Sequence, residues 1–177
     1  MDYKTILVHI DRGARRSDRL EIALRLAETF TAHLVGVYAL SALRIPAYAL
    51  PASAATLLET AERQWTESLQ QAEAAFDAAC KRYMGIAAEW RSSDEDALQA
   101  VRLSARYSDL VVVGQHDPYA GRDSGTHENF VGELALTASC PVLFVPYAGH
   151  FTNPGKRILI PWNASPQAAR AVTAALP

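Results

Sequence analysis

The end of this 177-residue chain repeats its beginning. The runs Lys4–Asp11 and Lys156–Asn163 align without a gap, and each reads as a basic residue, a short apolar strand and an Asx residue at the strand end. A turn and the opening of an Ala- and Leu-rich helix follow each run, over residues 17–24 and 169–176. Repetition at a fixed offset is typical of duplicated units. The alternative is that strand-turn-helix openings look alike in any α/β protein.

The repeat predicts how the chain is divided into domains. We predict a first domain over residues 1–147, a linker over residues 148–155, and the truncated start of a second, similar domain over residues 156–177. The linker prediction rests on its turn-forming composition, which includes Gly149, Pro154 and Gly155.

Charge and hydropathy exclude several classes of function. The formal net charge is −2, from 17 Lys and Arg against 19 Asp and Glu, so no basic stripe is available and nucleic acid is not expected as a partner. No apolar run approaches the ~20 residues of a membrane helix, and the N-terminus has no signal-peptide pattern. We therefore expect a cytoplasmic protein that does not bind membranes. Cys80 and Cys140 read as two unrelated thiols without a redox function.

Five apolar strands alternate with helical patterns along the first domain. Such alternation favours parallel strands joined by right-handed crossovers, with helices on both faces of the sheet. Ser17 is predicted to cap the first helix, and Ser93 with Asp96 to form a capping box before a later one. Gly36 marks a place where a helix packs closely on the sheet. The predicted strands are Ile6–Ile10, Leu34–Leu40, Ile86–Arg91, Asp109–Gly114 and Pro141–Pro146.

Three segments of the chain resemble the universal stress protein family. They are Tyr3–Val8 with Asp11 at the strand end, Ala105–Gly114, and Ser139–Val145, and they occur in the family's order at the corresponding places in the chain. The resemblance implies a Rossmann-like open parallel five-stranded sheet in the order 3-2-1-4-5. It also implies a role in surviving stress or starvation, and tandem copies are known in this family.

The loop after the fourth strand departs from the pattern of ATP-binding relatives. Many of them carry G-x2-G-x9-G-[ST], whose glycines let backbone amides approach the phosphates. Here Gly114 matches the first glycine, but Asp117 takes the second position and Glu128-Asn129 stands where the family has Gly-Ser or Gly-Thr. Carboxylates beside a polyanion add Coulomb repulsion. We expect this half to bind ATP weakly or not at all and to hold no cofactor, whereas ATP is possible in the missing second domain.

The resemblance also implies a vestigial nucleotide site. Asp11 matches an acid that lies by the adenine and ribose in relatives, and Ala39 matches a residue whose backbone reads the base. The alternative for Asp11 is that it only caps the turn after its strand, and both readings stay open. The predicted vestigial site consists of Asp11, Ala39, Gly114, Gln115, His116 and Asn129.

The same loop gathers residues of the types that bind metals or act as nucleophiles. Their spacing fits no ligand motif, so no metal site is predicted. Ser124 and His127 are close in sequence, but no G-x-S-x-G elbow is present, so no catalytic residue is predicted. The metal-ligand types in this loop are His116, Asp117, Asp123, His127 and Glu128.

Three functions remain as hypotheses. The first, which the loop favours, is a non-catalytic stress-response protein that acts through dimerisation or through its tandem partner domain. The second is an ATP-binding regulatory switch with at most slow ATP hydrolysis, and the third is a metal-dependent hydrolase. We expect a homodimer, or intramolecular pairing with a second domain, through the edge strand near residues 141–145.

Overall fold

A computed structural model describes residues 2–40, 55–119, 125–151, 155 and 157–177. Within this part of the chain five strands and five helices alternate. The elements are β1 (Thr5–Ile10), α1 (Arg16–Phe30), β2 (His33–Tyr38), α2 (Ala55–Cys80), β3 (Ala88–Ser92), α3 (Ala97–Ala105), β4 (Leu110–Gly114), α4 (Phe130–Thr137), β5 (Val142–Val145) and α5 (Pro166–Ala174).

The five strands form one parallel sheet in the order β3-β2-β1-β4-β5. β1 lies at its centre, where Ile6 pairs with Leu34 on one side and with Leu110 on the other. The apolar run of β1 suits this place because both faces of a central parallel strand are covered. The predicted α/β fold and strand order are therefore confirmed.

Helices cover both faces of the sheet. α1 and α2 pack on one face against alternate residues of β1, and α3 and α4 pack on the other. The close approach predicted at Gly36 is present, since a Cβ there would lie 2.6 Å from the ring of Phe76 in α2. This contact sets the distance between α2 and the sheet.

Two predicted helix caps are wrong. α1 begins at Arg16, with Arg15 as its N-cap residue and no side-chain cap hydrogen bond, so Ser17 lies inside the first turn. At α3 the cap is Asp96, whose carboxylate accepts the amide N–H of Leu98 at 2.9 Å, while Ser93 accepts only the amide of Glu95. In both cases the helix starts at a different residue from the one the local pattern indicated.

The C-terminal segment forms a helix and no strand within its described residues. Ile158 and Leu159, which match Ile6 and Leu7 of β1, are 65% and 89% exposed. α5 has a serine N-cap at Ser165 and no buried residue, and the hydroxyl of Tyr3 donates a hydrogen bond to the carbonyl of Ala174. The division of the chain into a first domain, a linker and a second-domain start stays a prediction.

None of the helices in the described part of the chain combines the length and the apolar character that a membrane crossing requires.

Candidate functional site

The candidate site lies where the chain changes direction across the sheet. From β1 the chain proceeds to β2 on one side, and after β3 it crosses to β4 on the other side of β1. In open α/β sheets, ligands bind outside the carboxyl ends of the strands at such a switch point. Asp11 directly follows β1, and Gly114 is the last residue of β4. Two of the predicted site residues therefore meet at this crevice.

Asp11 is a buried acid held by two donors. It is 5% exposed, and its Oδ1 accepts the amide N–H of Gly13 and the Nη2 of Arg19, both at 2.8 Å. Burial acts to raise the pKa of the Asp11 carboxyl, but the charge and hydrogen bond of Arg19, the proximity of His9 and the hydrogen bond of Gly13 together outweigh it, so the pKa lies below its usual value. Asp11 is thus both a turn cap and one half of a buried ion pair.

Arg19 was not predicted as a site residue. It is the fourth residue of α1, is 3% exposed, and reaches across to the end of β4. A Cβ on Gly114 would lie 2.0 Å from its Nη1, so the guanidinium occupies the space that the missing side chain leaves. Its Nε is buried without a hydrogen-bond partner among the described residues. No pattern in the sequence marks it, since Asp18 precedes it and Leu20, the first buried apolar residue of α1, follows it.

The backbone carbonyl of Ala39 is hydrogen-bonded by a buried histidine. The Nε2 of His9 in β1 lies 2.8 Å from the carbonyl oxygen of Ala39 and donates its proton there. The His9 ring is fully buried beside the ring of Phe130, with centroids 5.3 Å apart. Burial lowers the pKa of His9, and this effect outweighs the attraction of Asp11, so the ring is neutral near neutral pH. The carbonyl of Ala39 is therefore already occupied by a donor of the same chain.

The cavity that the described residues leave in the crevice is small. A cavity of about 30 Å³ is lined by Asp11, Arg19, Gly114, Gln115 and Asp117, among others. This volume suits one or two water molecules, whereas ligand pockets measure roughly 300–1,000 Å³. Gly125, from the loop after β4, closes the crevice from above, since a Cβ there would lie 2.6 Å from Leu40 and 3.3 Å from the Cβ of Asp11.

The predicted residues of the loop separate into two groups. Gln115 lines the cavity, and its backbone N–H donates to the carbonyl of Val145 at 2.8 Å. His116 and Asn129 do not line it. His116 is half-buried, with its Nδ1 unpartnered among the described residues, and Asn129 is the exposed N-cap residue of α4 without a side-chain cap bond.

The residues weighed for metal binding and for nucleophilic chemistry are only partly described. Asp123 and Ser124 lie outside the described residues. Over the described ranges, no group of three His, Cys, Asp or Glu side chains comes together as a metal site would require. Asp117 instead accepts the amide of Tyr119 at 2.9 Å and caps a local turn.

Comparison with known proteins gives matches among solved structures. A scan against protein-family models finds no match, and no curated protein matches the sequence. A universal stress protein family member from Burkholderia pseudomallei is 28% identical, with a TM-score of 0.53 over 81% of this chain and 96% of that chain. A universal stress protein in complex with cAMP is 21% identical, with a TM-score of 0.54 over 84% of this chain and 100% of that chain.

A third match extends the likeness to plants. A universal stress protein family protein from Arabidopsis thaliana with AMP bound is 12% identical, with a TM-score of 0.50 over 81% of this chain and 91% of that chain. At the identities of the cAMP- and AMP-bound proteins the likeness concerns the fold. The strand order and the match to the Burkholderia protein support the same conclusion, and the predicted resemblance of this chain to the universal stress protein family is confirmed.

Proposed function

We propose that this chain is a non-catalytic stress-response protein that acts by associating with another copy or with a second domain like its own. In this proposal the crevice at the switch point does not take a nucleotide. One observation carries it: the Asp11–Arg19 ion pair, 2.8 Å long and almost fully buried, occupies the crevice.

Space and hydrogen-bonding capacity both support a closed crevice. The remaining cavity of about 30 Å³ is far too small for a nucleoside. The groups that would bind one are in use, since Asp11 accepts from Gly13 and Arg19, and the Ala39 carbonyl accepts from His9. A nucleotide that bonded the Oδ1 of Asp11 would have to displace one of its internal partners.

Charge supports the same conclusion for the phosphates. Asp117 lines the cavity at the position where ATP-binding relatives have a glycine, and Glu128 is exposed just before α4. Each carboxylate about 4 Å from a phosphate charge costs about 1 kcal/mol in water and more where water is excluded. The loop is therefore unsuited to a triphosphate, and no cofactor is proposed for this domain.

Association is supported by apolar groups that the described fold leaves uncovered. β5 is an edge strand of the sheet, and an apolar strand edge is a template for pairing with another chain. Ile160 and Trp162 are also more than half exposed. We propose a second copy or a second similar domain as the partner, no nucleic acid in view of the balanced charge, and the cytoplasm as the location.

Calorimetry with Mg-ATP tests the proposal. The expected result is no binding tighter than about 1 mM, which corresponds to roughly −4 kcal/mol. AMP and cAMP are tested beside it because matched proteins are described with these ligands. A micromolar dissociation constant for any of the three would show that the crevice opens and that the proposal is wrong.

The runner-up function is a nucleotide-binding regulatory switch with at most slow ATP hydrolysis. It is favoured by the cAMP- and AMP-bound structures and by Gly114, which keeps the first glycine of the loop. Phosphate release measured over hours separates a slow ATPase from a protein that only binds. Nucleotide binding without phosphate release would support a switch. The absence of both binding and phosphate release would support the non-catalytic proposal.

Association is tested by light scattering. The full chain is expected to self-associate at high concentration, and a variant ending at Phe151 shows which surface is responsible. If this shortened chain still self-associates, a surface within residues 1–151, such as the β5 edge, is sufficient, whereas a monomer would assign the contact to residues beyond 151. A monomeric full chain would contradict self-association as the mode of action.

A further inference from the structure

We propose that Arg19 is the residue that keeps the switch-point crevice closed to nucleosides, because its guanidinium serves as an internal ligand of Asp11. The inference rests on the proposed function, since it explains why the crevice would not take a nucleotide. It goes beyond the proposed function because it assigns the exclusion of nucleosides to the Arg19 side chain. It also names the ribose hydroxyls as the ligand groups that this side chain replaces.

Geometry singles out Arg19 among the groups at the crevice. Its guanidinium bonds the Oδ1 of Asp11 at 2.8 Å and lies against the backbone of Gly114, so it connects the ends of β1 and β4. A ligand that contacted both strand ends would have to occupy the same volume. The other groups at the crevice do not join the two strand ends, since Gly125 has no side chain and the His9 ring bonds the carbonyl of Ala39.

The chemistry of Asp11 indicates what Arg19 replaces. An ionised carboxylate only accepts hydrogen bonds, so a partner in this position must offer donors. Arg19 offers N–H groups in a fixed fork. Without it, the 2′ and 3′ hydroxyls of a ribose offer two O–H donors side by side and no charge. Because Asp117 lines the same cavity, a nucleoside fits this site better than a nucleotide.

The glycine at position 114 belongs to the same arrangement. Arg19 fits only because no Cβ stands at the end of β4, where one would approach its Nη1 to 2.0 Å. Removing the guanidinium would leave an open space beside an unpaired buried carboxylate. A ribose diol would supply the missing donors, so ligand binding should stabilise such a variant.

The test uses two variants of the full chain with adenosine as the probe. Arg19→Ala opens the crevice and leaves Asp11 charged. The double variant Asp11→Asn/Arg19→Ala opens it without a buried charge, and its amide oxygen still accepts from a hydroxyl. Arg25→Ala is the matched control, because Arg25 lies on the same helix and pairs with Glu21 at the surface. Circular dichroism establishes that each variant is folded.

Binding is measured by calorimetry and by the shift in melting temperature. We expect adenosine to bind the opened variants at least tenfold more tightly than it binds the wild type or Arg25→Ala. The analogue 2′,3′-dideoxyadenosine, which lacks both hydroxyls, should lose this gain. If Arg19→Ala does not fold, the double variant decides the question.

Two results would overturn the proposal and are distinguishable from each other. A folded opened variant that binds adenosine no better than the wild type would show that Arg19 does not exclude the ligand, while the proposed function would stand. Tight binding of adenosine by the wild type would show that Arg19 is no barrier, and tight binding of Mg-ATP as well would also contradict the proposed function.

Discussion

The guanidinium of Arg19 lies where a side chain at Gly114 would begin. The distance from a Cβ at that position to the Nη1 of Arg19 would be 2.0 Å, far inside van der Waals contact. The absence of a side chain at Gly114, at the end of β4, and the presence of the buried cation Arg19 on α1 are therefore one arrangement. Its consequence is that the carboxyl ends of β1 and β4 are joined by protein atoms.

The first prediction concerns the fit between these two residues. Gly114→Ala should lower the free energy of unfolding by about 1–3 kcal/mol, because the added methyl group must displace a buried guanidinium. Gly132→Ala is the matched control, since nothing lies within 4 Å of a Cβ there and Gly132 is inside α4. It should raise stability by up to about 1 kcal/mol. Urea unfolding of both variants checks this, and a neutral Gly114→Ala would show that Arg19 moves aside freely.

The second prediction concerns the buried ion pair. Asp11→Ala should cost about 3–5 kcal/mol, because the Arg19 charge stays buried without its partner. Asp18→Ala removes the partner of Arg15 in a pair whose side chains are about one-third exposed, and should cost less than about 1 kcal/mol. Chemical denaturation measures both. Equal effects of the two substitutions would mean that the Asp11 site relaxes or hydrates in the variant.

The third prediction concerns His9 and pH. Burial lowers the pKa of His9 in the folded chain, so below about pH 6.5 the unfolded chain binds a proton that the folded chain does not. Stability should therefore fall as the pH is lowered below about 6.5, by up to about 1.4 kcal/mol per pH unit.

The measurement for His9 compares slopes of stability against pH. His9→Gln should lose this slope, whereas His150→Gln, at a side chain that is 79% exposed, should keep it. Asp11 does not interfere, because its lowered pKa affects stability only below about pH 4. An unchanged slope in His9→Gln would show that His9 takes up its proton without unfolding.

The fourth prediction concerns the segment after residue 151. Ending the chain at Phe151 should change the free energy of unfolding by no more than about 1 kcal/mol, because α5 buries no residue and the hydroxyl of Tyr3 contributes a single hydrogen bond to it. Thermal and urea unfolding of the shortened chain check this. A collapse of stability would mean that residues 157–177 belong to the first domain, and the predicted domain boundary would be wrong.

The sequence by itself determined the fold of the first domain. The uninterrupted apolar run of β1 indicates a strand covered on both faces, the strand and helix patterns alternate, and Gly36 marks a close contact that Phe76 makes. These features are readable because periodicity and chain order are local properties, and the rules for parallel crossovers then leave few topologies. The positions of Asp11 after β1 and of Gly114 at the end of β4 were predicted correctly because they also follow from chain order.

Only the tertiary structure decided what lies between those strand ends. Arg19 stands eight positions after Asp11 and far from Gly114 in sequence, and no local pattern indicates that its side chain joins the two. Its position depends on how α1 packs against β1 and β4. The start of α1 at Arg16, which leaves Ser17 inside the first turn, was likewise not readable from the local pattern. A buried charge must lie where its partner is, and the distance to a partner on another element is set only when the elements pack together.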